Sequence, residues 1–573
     1  MTTDIRRDLV QAAQVWVAGD PDPATRAELQ RILDAGDTAE LEERMGSVLE
    51  FGTAGLRGRV EAGSNRMNRA TVIRATRGVA DHLLATSSVD AGPVVVGRDA
   101  RLSSETFMED TVGVLAAAGF DVVFFPEPTP TPIVAYAARV VDAIAAIVVT
   151  ASHNPPADNG YKVYASNAAQ IIPPTDGEIA AAIAAVGPAA DVPRRDEPYA
   201  DRRVSRAPAD LRDRYLFEVA QALPRVTGDR TISIVYTPLH GVGGRWVVGA
   251  LEQFGFHHVH PVARQFEPDG RFSTVSFPNP EEPGALDLAH ELAAAMDADV
   301  VIANDPDTDR LAVSLPDPAG TWRPLTGNQI GALLGDFLLS HTSEPLPIVI
   351  NSIVSSPHLG VIARDHGARF EATLTGFKWI CNAALALEGE GRGTFVFGYE
   401  EALGYTVGRV VRDKDGISAA VAFATLVAVE AAASRTIWDR LTDLAVRDGL
   451  WVSTQKSIVR AGSDGVETIA SAMDKISSGT PQTLGGHPVE GTTNYMLNAE
   501  ERPMWLGSTP LVELDFGGAG RALVRPSGTE PKLKIYVDLR AEFDAGSDWF
   551  GAQARLTKDA DRVADELTAW LRL

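Results

Sequence analysis

Three aspartates alternate along one short stretch of the chain, Asp305, Asp307 and Asp309, in the sequence DPDTDR. The apolar segment ADVVIA comes just before them, which predicts that the loop begins at the end of a buried strand. Three carboxylates this close repel one another unless a cation neutralises them, and burial makes unpaired charge costly. An all-oxygen ligand set suits Mg²⁺ or Mn²⁺. The stretch therefore indicates a divalent metal site, with an acidic turn in solvent as the alternative.

Spacing separates this loop from two other kinds of acidic loop. A Ca²⁺-binding EF-hand needs Gly at its sixth position and Glu at its twelfth, where this chain has Arg310 and Pro316. An aspartyl-phosphate phosphatase of the haloacid dehalogenase type resembles the start of the loop, with Asp305 as nucleophile and Asp307 as acid/base. That family ends its pattern in Thr or Val where this chain has Asp309, which weakens this alternative and leaves it open.

A serine in a second loop is the candidate nucleophile. Ser152 follows the apolar run Ala143–Val149, and the sequence predicts one rigid loop from Thr150 to Tyr164 that holds the hydroxyl in the open. A serine needs a base or a metal to become a nucleophile, and His153 and Lys162 are close in sequence. No G-x-S-x-G elbow is present, which disfavours a Ser-His-Asp hydrolase. On turn statistics alone, a serine beside Asn-Pro is more often a turn residue.

Two further loops suit a phosphorylated sugar. RPSGTEPK, Arg525 to Lys532, combines two cations with hydroxyls and backbone N–H groups in a tight turn, as a phosphate dianion requires. It lacks the G-x-x-x-x-G-K-[ST] pattern of a P-loop, and a polar turn between strands is the alternative. GYEEALGY places Glu400 and Glu401 after a strand, where carboxylates accept hydrogen bonds from sugar hydroxyls. A solvated loop fits this second segment equally well.

Composition limits the partners of these loops. The 573-residue chain has a formal net charge of −24 and no block of like charge, so nucleic acid and anionic membranes are poor partners. Cations gathered in the loops of such an acidic chain indicate an anionic ligand; they are Arg57, Arg98, Arg101, Arg310, Lys378 and Lys414.

The same sequence indicates a compartment. Cys381 is the only cysteine, which excludes an intramolecular disulfide and a cysteine zinc cluster and fits a reducing environment. The start of the chain has no apolar signal core, and the longest apolar runs are too short to span a bilayer. We expect a cytoplasmic protein with no membrane partner.

The elements that must position these loops alternate between short apolar strands and amphipathic helices, which favours parallel α/β sheets. Ligands of such sheets bind beyond the carboxyl ends of the strands. Residues 1–46 are predicted to be helical, with Asp22 capping a helix that begins at Pro23. Strands are predicted before the motifs, at Pro93–Val96, Ala143–Val149, Asp299–Ala303 and Thr394–Phe397. After residue 450 the pattern changes to short strands, one loop and a terminal helix.

Taken together and in this order, the motifs resemble those of the α-D-phosphohexomutase superfamily. TASHNP resembles the phosphoserine loop, DPDTDR the metal loop, GYEEALGY the sugar loop and RPSGTEPK the phosphate loop. FGTAGLRG, TPLHGVGG, TGFKWI and RDKDG are most similar to the branch that contains phosphoglucomutase-2 and phosphopentomutase. The resemblance implies four domains around a central cleft: three mixed or parallel α/β domains and a smaller C-terminal α+β domain. We place a helical extension at 1–46 and the domains at 47–205, 206–318, 319–450 and 451–573.

The resemblance also implies a role for each motif residue. Ser152 would carry the phosphoryl group, and its oxygen would hold one Mg²⁺ per chain together with Asp305, Asp307 and Asp309. Arg57, Lys162 and Lys414 would be the candidates for catalytic acid/base work, and His153 is a further catalytic candidate from its position beside Ser152. The substrate-binding set would be Arg310, Thr375, Gly376, Lys378, Glu400, Arg525, Ser527, Gly528 and Thr529.

The implied activity is that of a phospho-sugar mutase, an isomerase that acts as an intramolecular phosphotransferase. A sugar bisphosphate would serve as intermediate and activator, in a monomer or homodimer. Many family members have a serine two residues after the sugar-loop glutamate, and here that position is Ala402, which puts the preference for hexoses in question. We expect conversion of glucose or mannose 1-phosphate to the 6-phosphate. The alternatives are a phosphopentomutase, a hexose-bisphosphate synthase or metal-dependent phosphatase, and a non-catalytic sugar-phosphate-binding protein.

Overall fold

The computed structural model describes residues 3–50, 55–460, 463–527 and 532–573. The described part of the N-terminal extension is helical, as predicted, and forms α1 (Thr3–Gly19), α2 (Pro23–Ala35) and α3 (Thr38–Met45). Asp22 caps α2, because its side chain accepts a hydrogen bond from the N–H of Ala24 at 2.9 Å. Leu29 and Leu41 pack with Ala13 and Ala62 in a small core that ties these helices to the segment before α4.

A mixed sheet follows, with buried parallel strands at its centre. Its elements are β1 (Leu56–Arg59), α4 (Arg69–Thr86), β2 (Val94–Arg98), α5 (Ser104–Ala117), β3 (Val122–Phe124), α6 (Thr131–Val140), β4 (Ala145–Val149), β5 (Asp158–Tyr164), α7 (Thr175–Ala185) and β6 (Val204–Arg206). The strand order is β1-β5-β4-β2-β3-β6. Strands β4, β2, β3 and β6 are parallel, and β2 and β4 are buried along their whole length, which explains their runs of Val, Ile and Ala.

Strand β5 corrects the predicted loop from Thr150 to Tyr164. The loop ends before Asp158, and β5 runs antiparallel to both β4 and β1. The pairing of Val148 with Lys162 places this lysine beside the strand that leads to the serine loop. Gly160 allows the close packing, since a Cβ there would lie 2.5 Å from the carbonyl oxygen of Thr150.

The second sheet carries the aspartate loop. Its elements are α8 (Leu211–Ala222), β7 (Ile234–Thr237), α9 (Gly244–Gln253), β8 (Val259–Pro261), α10 (Ala263–Phe266), α11 (Asp287–Met296), β9 (Val300–Ala303), β10 (Ala312–Pro316) and β11 (Trp322–Pro324), with the strand order β11-β10-β9-β7-β8. Strands β9, β7 and β8 are parallel, whereas β10 and β11 fold back antiparallel. Because Ala303 pairs with Ala312, the aspartates lie in the turn that joins β9 to β10.

The third sheet is parallel in its core. Its elements are α12 (Gly327–His341), β12 (Pro347–Ser352), α13 (His358–Asp365), β13 (Arg369–Thr373), α14 (Phe377–Gly389), β14 (Thr394–Glu400), β15 (Gly404–Val407), α15 (Gly416–Ala432) and α16 (Ile437–Asp448). Strand β12 pairs in parallel with both β13 and β14. The prediction ended β14 at Phe397, but the strand runs to Glu400, so the start of GYEEALGY is strand rather than loop.

The C-terminal region is an antiparallel sheet with helices, an α+β arrangement as predicted. Its elements are β16 (Leu450–Val459), α17 (Ser463–Ser478), β17 (Thr483–Leu484), β18 (His487–Pro488), β19 (Gly491–Asn494), β20 (Val512–Asp515), β21 (Gly520–Pro526), β22 (Lys532–Ala541) and α18 (Trp549–Leu571). The main sheet has the order β16-β22-β21-β20-β19, with every neighbouring pair antiparallel.

The chain divides into two compact units that do not follow its linear order. The first unit comprises Met1–Leu223, Arg230–Pro324 and Tyr405–Ala424, and the second comprises Pro224–Asp229, Leu325–Gly404 and Thr425–Leu573. The segment Tyr405–Ala424, which contains RDKDG, thus belongs with the first two sheets. Among the described residues no single helix is long and apolar enough to cross a membrane, although α15 and α16, bent by 91°, pass that test as a pair.

Candidate active site

The aspartate loop is buried within the first unit. Asp305, Asp307 and Asp309 are each 0% exposed, and one carboxylate oxygen of each lies within 4.8 Å of the others. Thr308 between them has a φ of 64°, in the left-handed region, which turns the chain tightly enough for alternate side chains to converge. Among the described residues, these three aspartates are the only group of three or more His, Cys, Asp or Glu side chains that could hold a metal ion.

Asp305 connects the aspartate loop to the candidate nucleophile. Ser152 Oγ donates a hydrogen bond to Asp305 Oδ2 at 2.7 Å, and the N–H of Arg310 donates to Asp305 Oδ1 at 3.1 Å. Burial, followed by the charges of Asp307 and Asp309, raises the pKa of Asp305 well above its usual range. The structure thus brings together two motifs that lie 153 residues apart.

Two lysines balance the negative charge of Asp307 and Asp309. Lys162 Nζ, itself fully buried, lies 2.7 Å from Asp307 Oδ2 and 2.8 Å from Asp309 Oδ2. Lys414 Nζ lies 3.2 Å from Asp309 Oδ2, and Thr131 Oγ1 donates to Asp307 Oδ2 at 2.8 Å. Burial alone would raise the pKa of Asp309, but Lys162, Lys414 and the nearby arginine lower it below its ordinary value. Burial would lower the pKa of Lys162, but its two aspartates raise it, so this lysine stays protonated.

The remaining carboxylate oxygens fit a metal ion. Asp307 Oδ1 and Asp309 Oδ1 are buried and have no hydrogen-bond partner within the described parts of the chain. A buried carboxylate oxygen without a partner is costly, and a divalent cation bound by oxygens would satisfy both. The donors are all oxygen atoms, with no histidine or cysteine in the group, which suits Mg²⁺ or Mn²⁺ rather than Zn²⁺.

Ser152 itself is 1% exposed, so the expectation of an open hydroxyl is wrong. Its φ of 52° puts a non-glycine residue in the left-handed region. Ser152 Oγ lies 3.2 Å from His153 Nδ1, which is the second proton acceptor in reach besides Asp305. Burial, then the charges of Arg310 and Arg57, lowers the pKa of His153 well below its ordinary value, so the imidazole is neutral.

Two arginines complete the charge pattern of the first unit. Arg310 Nε lies 3.9 Å from Asp305 Oδ2 and 4.0 Å from Asp309 Oδ1. Arg57 Nη1 donates to Asn154 Oδ1 at 3.1 Å, and burial lowers the pKa of Arg57 against the opposing effect of the aspartate charges. Both predicted cations are therefore placed with the aspartates and the serine loop.

The RDKDG segment is fastened on both sides of Lys414. Asp413 Oδ2 accepts a hydrogen bond from the hydroxyl of Tyr164 on β5 at 2.6 Å. Asp415 Oδ2 accepts one from the hydroxyl of Tyr215 on α8 at 2.7 Å. The two flanking aspartates thus hold the lysine between elements of the first and second sheets. Sequence reasoning missed both, although they are part of the motif, because their partners lie 249 and 200 residues away.

The second unit carries the predicted sugar-binding residues. Glu400, at the end of β14, accepts a hydrogen bond through Oε1 from the N–H of Gly376 at 2.7 Å. Gly376 has a φ of 116° and precedes α14, so Thr375 and Lys378 lie on either side of this contact. The structure therefore joins TGFKW to the sugar loop.

Tyr536 on β22 lies close to the predicted phosphate-binding arginine. Burial and the charges of Glu401 and Glu400 raise the pKa of Tyr536, whereas Arg525 lowers it, so these side chains share one neighbourhood of the second unit. Ser527 follows β21, and its N–H donates to the carbonyl of Lys532 at 2.7 Å. The predicted residues Gly528 and Thr529 lie outside the described residues. No sequence signal marked Tyr536.

Four models of one protein family match the chain in succession. They describe alpha/beta/alpha domains I, II and III and the C-terminal domain of phosphoglucomutase/phosphomannomutase, and they match residues 48–189, 213–318, 326–445 and 499–542. The match confirms the predicted fold class, three α/β domains followed by a C-terminal domain of another kind.

Curated relatives align along most of the chain. A probable phosphomannomutase of Haemophilus influenzae is 39% identical, over 88% of this chain and 97% of the relative. A phosphopentomutase of Mus musculus is 34% identical, over 94% and 91%. A glucose 1,6-bisphosphate synthase of Homo sapiens is 33% identical, over 92% and 89%. The names of these relatives specify different sugar phosphates.

Proposed function

The chain belongs to the phosphoglucomutase/phosphomannomutase family of α-D-phosphohexomutases and is a phospho-sugar mutase, and we propose that its Ser152 carries the phosphoryl group. One observation supports this assignment above the others. The Ser152 hydroxyl lies 2.7 Å from Asp305, in a buried group of three aspartates of which two oxygens have no hydrogen-bond partner among the described residues. Such a group suits an ion that binds a serine-linked phosphate.

We propose that Asp305, Asp307, Asp309 and the Ser152 oxygen hold one Mg²⁺ per chain. When bound, the ion neutralises charge that develops on the serine oxygen and on the transferring phosphoryl group. The chain's own groups handle the protons. When free Ser152 attacks a sugar bisphosphate, its proton has two acceptors in reach, His153 Nδ1 at 3.2 Å and Asp305 Oδ2 at 2.7 Å.

The cations of the first unit have distinct proposed roles. Lys162, paired with two aspartates, keeps the aspartate loop compensated and remains a proton donor. Lys414 contacts the same loop through Asp309 and is the candidate acid/base at the sugar hydroxyl, with Arg57 as the other candidate. Arg310 is the candidate contact for the transferring phosphate. Arginine suits this last role because its planar fork matches phosphate oxygens.

The second unit is proposed to bind the sugar and the phosphate that is not reacting. Glu400 and the Thr375–Lys378 segment, joined by the Gly376 contact, offer a carboxylate, a hydroxyl and an ammonium to sugar hydroxyls. Arg525 and Ser527, with Gly528 and Thr529 as further candidates, would bind the phosphate. This site must accept either phosphate of a bisphosphate, so it recognises phosphate rather than a particular sugar.

We propose hexose 1-phosphates as substrates, with the bisphosphate as intermediate and activator. A phosphopentomutase is the second candidate, supported by Ala402 in the sugar loop and by the 34% identical mouse phosphopentomutase. A bisphosphate synthase is the third, supported by the 33% identical human relative. Glucose, mannose and ribose 1-phosphates assayed side by side, with and without glucose 1,6-bisphosphate, separate the three. Phosphate release without isomer would favour a phosphatase instead.

The serine assignment has a direct test. Ser152→Ala is expected to abolish isomer formation while the thermal unfolding midpoint stays near that of the wild type. Ser314→Ala is the matched control, because Ser314 is also fully buried in the first unit but contacts His290 at 2.9 Å. The control should keep kcat within about twofold of the wild type. Wild-type turnover by Ser152→Ala would refute the assignment.

The metal has its own test. EDTA should remove activity, and added Mg²⁺ should restore it, because the carboxylate oxygens are the ion's only proposed ligands besides the serine. Full turnover in chelator would contradict the metal role.

We also propose that the protein acts in the cytoplasm as a monomer or homodimer, with no nucleic-acid or membrane partner. The net charge of −24 supports the absence of anionic partners, and the single cysteine fits a reducing compartment. Size-exclusion chromatography with light scattering would establish the oligomeric state.

A further inference from the structure

Arg101, in the GRDAR segment after β2, has a side chain that is 1% exposed and is surrounded by backbone carbonyls. Its Nη1 donates to the carbonyl oxygens of Pro155 at 2.7 Å and Asp158 at 2.9 Å. Its Nη2 donates to the carbonyl oxygens of Ser152 at 2.7 Å and Asn154 at 2.6 Å. One guanidinium therefore holds four peptide groups, three in the serine loop and one at the start of β5.

Only arginine offers this set of donors. Two Nη groups supply four N–H bonds in one rigid plane, whereas the lysine ammonium has three donors on a single nitrogen. Asp99 balances the charge, with Oδ2 at 3.2 Å from Arg101 Nε, and the same oxygen accepts a hydrogen bond from Thr150 Oγ1 at 2.7 Å. Thr150 Oγ1 in turn accepts the N–H of Ser152 at 2.9 Å. The contacts form a closed network around the serine.

That network holds Ser152 in a strained conformation. A left-handed φ is unfavourable for a non-glycine residue, and it persists only where the surroundings enforce it. Arg101 Nη2 donates a hydrogen bond to the carbonyl oxygen of Ser152, and Thr150 Oγ1 accepts one from the N–H of Ser152. The peptide groups on both sides of Ser152 are therefore held in place. With the backbone held in this way, the side chain places its Oγ 2.7 Å from Asp305 Oδ2.

A segment of the second sheet's region covers this network. The ring of Phe272, buried and with a φ of 50°, has its centroid 5.2 Å from Arg101 Cζ, a cation–π distance. Gly270 lies against the GRDAR backbone, where a Cβ would come within 2.4 Å of the Ala100 carbonyl oxygen. The ring keeps water from one face of the guanidinium and so strengthens its carbonyl contacts.

We propose that Arg101 is a positioning residue for phosphoryl transfer, which sets the Ser152 oxygen against the metal-binding aspartates, with Phe272 holding the guanidinium in place. The inference rests on the proposed role of Ser152. Its effect acts on the rate of transfer rather than on substrate binding, because the proposed sugar-binding residues belong to the second unit.

The test is Arg101→Lys in the full-length protein, with steady-state kinetics on glucose 1-phosphate and ribose 1-phosphate and with Mg²⁺ titrated. We expect kcat to fall about 10- to 100-fold, the loss typical of residues that orient a metal-site ligand. KM and the half-saturating Mg²⁺ concentration should stay within about twofold of the wild type, since Arg101 is not among the residues proposed to bind the sugar or the ion.

Arg66→Lys is the matched control. Arg66 is also buried and also contacts carbonyl groups, those of Glu43 and Asn65, but it serves the N-terminal helices. Its replacement should lower the unfolding midpoint comparably and leave kcat within about twofold of the wild type.

Three results would overturn the proposal. These are an unchanged kcat in Arg101→Lys, an equal loss of kcat in Arg66→Lys, or a loss carried by KM rather than kcat. Should Arg101→Lys not fold, Phe272→Leu keeps the carbonyl contacts and removes the ring; a kcat several-fold lower at constant KM supports the proposal, and an unchanged kcat overturns it. An inactive Ser152→Ala beside an active Arg101→Lys refutes only this inference, whereas an active Ser152→Ala refutes the proposed function.

Discussion

A single buried carboxylate in the second unit and a group of three in the first unit have their negative charge compensated in different ways. Asp336 on α12 is 2% exposed, and both of its oxygens are paired. Oδ1 lies 2.8 Å from Arg447 Nη1 and 3.0 Å from His366 Nε2, and Oδ2 lies 3.1 Å from Arg440 Nε. One carboxylate is thus surrounded by two guanidinium groups and an imidazole.

The aspartate loop of the first unit is equally buried, but two of its six oxygens, Asp307 Oδ1 and Asp309 Oδ1, have no hydrogen-bond partner within the described parts of the chain. The difference teaches how to separate a structural from a functional carboxylate. Where every oxygen is satisfied by the chain itself, removing the group should cost stability. Where oxygens lack a partner in the chain, we predict that the group binds a ligand and that removing it costs activity.

The largest expected effect is a loss of activity when an aspartate of the first unit's group is replaced. Asp307→Asn should lower kcat by about 1,000-fold or more, since a catalytic ion supplies several kcal/mol at roughly 1.4 kcal/mol per tenfold. Without Mg²⁺, its unfolding midpoint should stay close to that of the wild type, because one of three repelling charges is gone and Lys162 keeps its pair with Asp309 at 2.8 Å. Steady-state kinetics and calorimetry on one preparation measure both; a stable, fully active variant would contradict the assignment.

The reciprocal variant tests the structural side. Asp336→Asn should lower the free energy of unfolding by about 2 kcal/mol, because the buried carboxylate loses its charged hydrogen bonds to two partly exposed arginines and a histidine. Its kcat at 25 °C should match the wild type. Asp443→Asn is the control, since that exposed carboxylate pairs with Arg435 at the surface and should be worth about 0–1 kcal/mol. Equal losses from both variants would remove the distinction drawn above.

A smaller effect is expected from Mg²⁺ on the free energy of unfolding of the two variants. An ion bound only by the folded chain raises the free energy of unfolding by about 2.7 kcal/mol at a hundred times its Kd. Asp336→Asn should retain this increment in full, and Asp307→Asn should lose most of it. Denaturant titrations with and without Mg²⁺ give the increments, and an increment that survives Asp307→Asn would place the ion elsewhere.

Acid should remove part of the stabilisation that the ionised Asp336 contributes. Burial alone would raise the pKa of Asp336, but the His366 hydrogen bond and the charge of Arg440 lower it below its ordinary 3.8. A carboxylate with a depressed folded-state pKa stabilises the fold above that ordinary value, and the contribution is lost as pH falls through the folded-state pKa. The stability difference between wild type and Asp336→Asn should therefore be constant at neutral pH and shrink below about pH 4. A difference that stays constant into acid would show that charge is not its source.

The parts of the molecule that sequence could predict are those governed by local pattern. The strands before the motifs and the cap at Asp22 lie within a few residues of the predictions, because apolar runs and capping side chains act over short distances. The convergence of Asp305, Asp307 and Asp309 was predictable for the same reason, since their spacing within one turn enforces it.

The contacts that sequence could not predict depend on tertiary structure. Lys162 meets the aspartates because β5 runs antiparallel to β4, a pairing that no local pattern specifies. Thr131 lies in the first turn of α6 and contacts Asp307, which is 176 residues away in the sequence. In the sequence this threonine looks like an ordinary residue at the start of a helix. The open hydroxyl expected for Ser152 was wrong because the partner loops that bury it come from distant parts of the chain.

The membership of Tyr405–Ala424 in the first unit has a consequence for anyone who would divide or recombine this protein. A break after Pro324 looks natural along the chain, yet it leaves Lys414, Asp413 and Asp415 on the wrong fragment, parted from Asp309, Tyr164 and Tyr215. The N-terminal fragment would lack one of its lysines, and the C-terminal fragment would carry two orphaned aspartates. Halves of two such enzymes are thus not interchangeable cassettes unless this twenty-residue segment travels with the N-terminal partner.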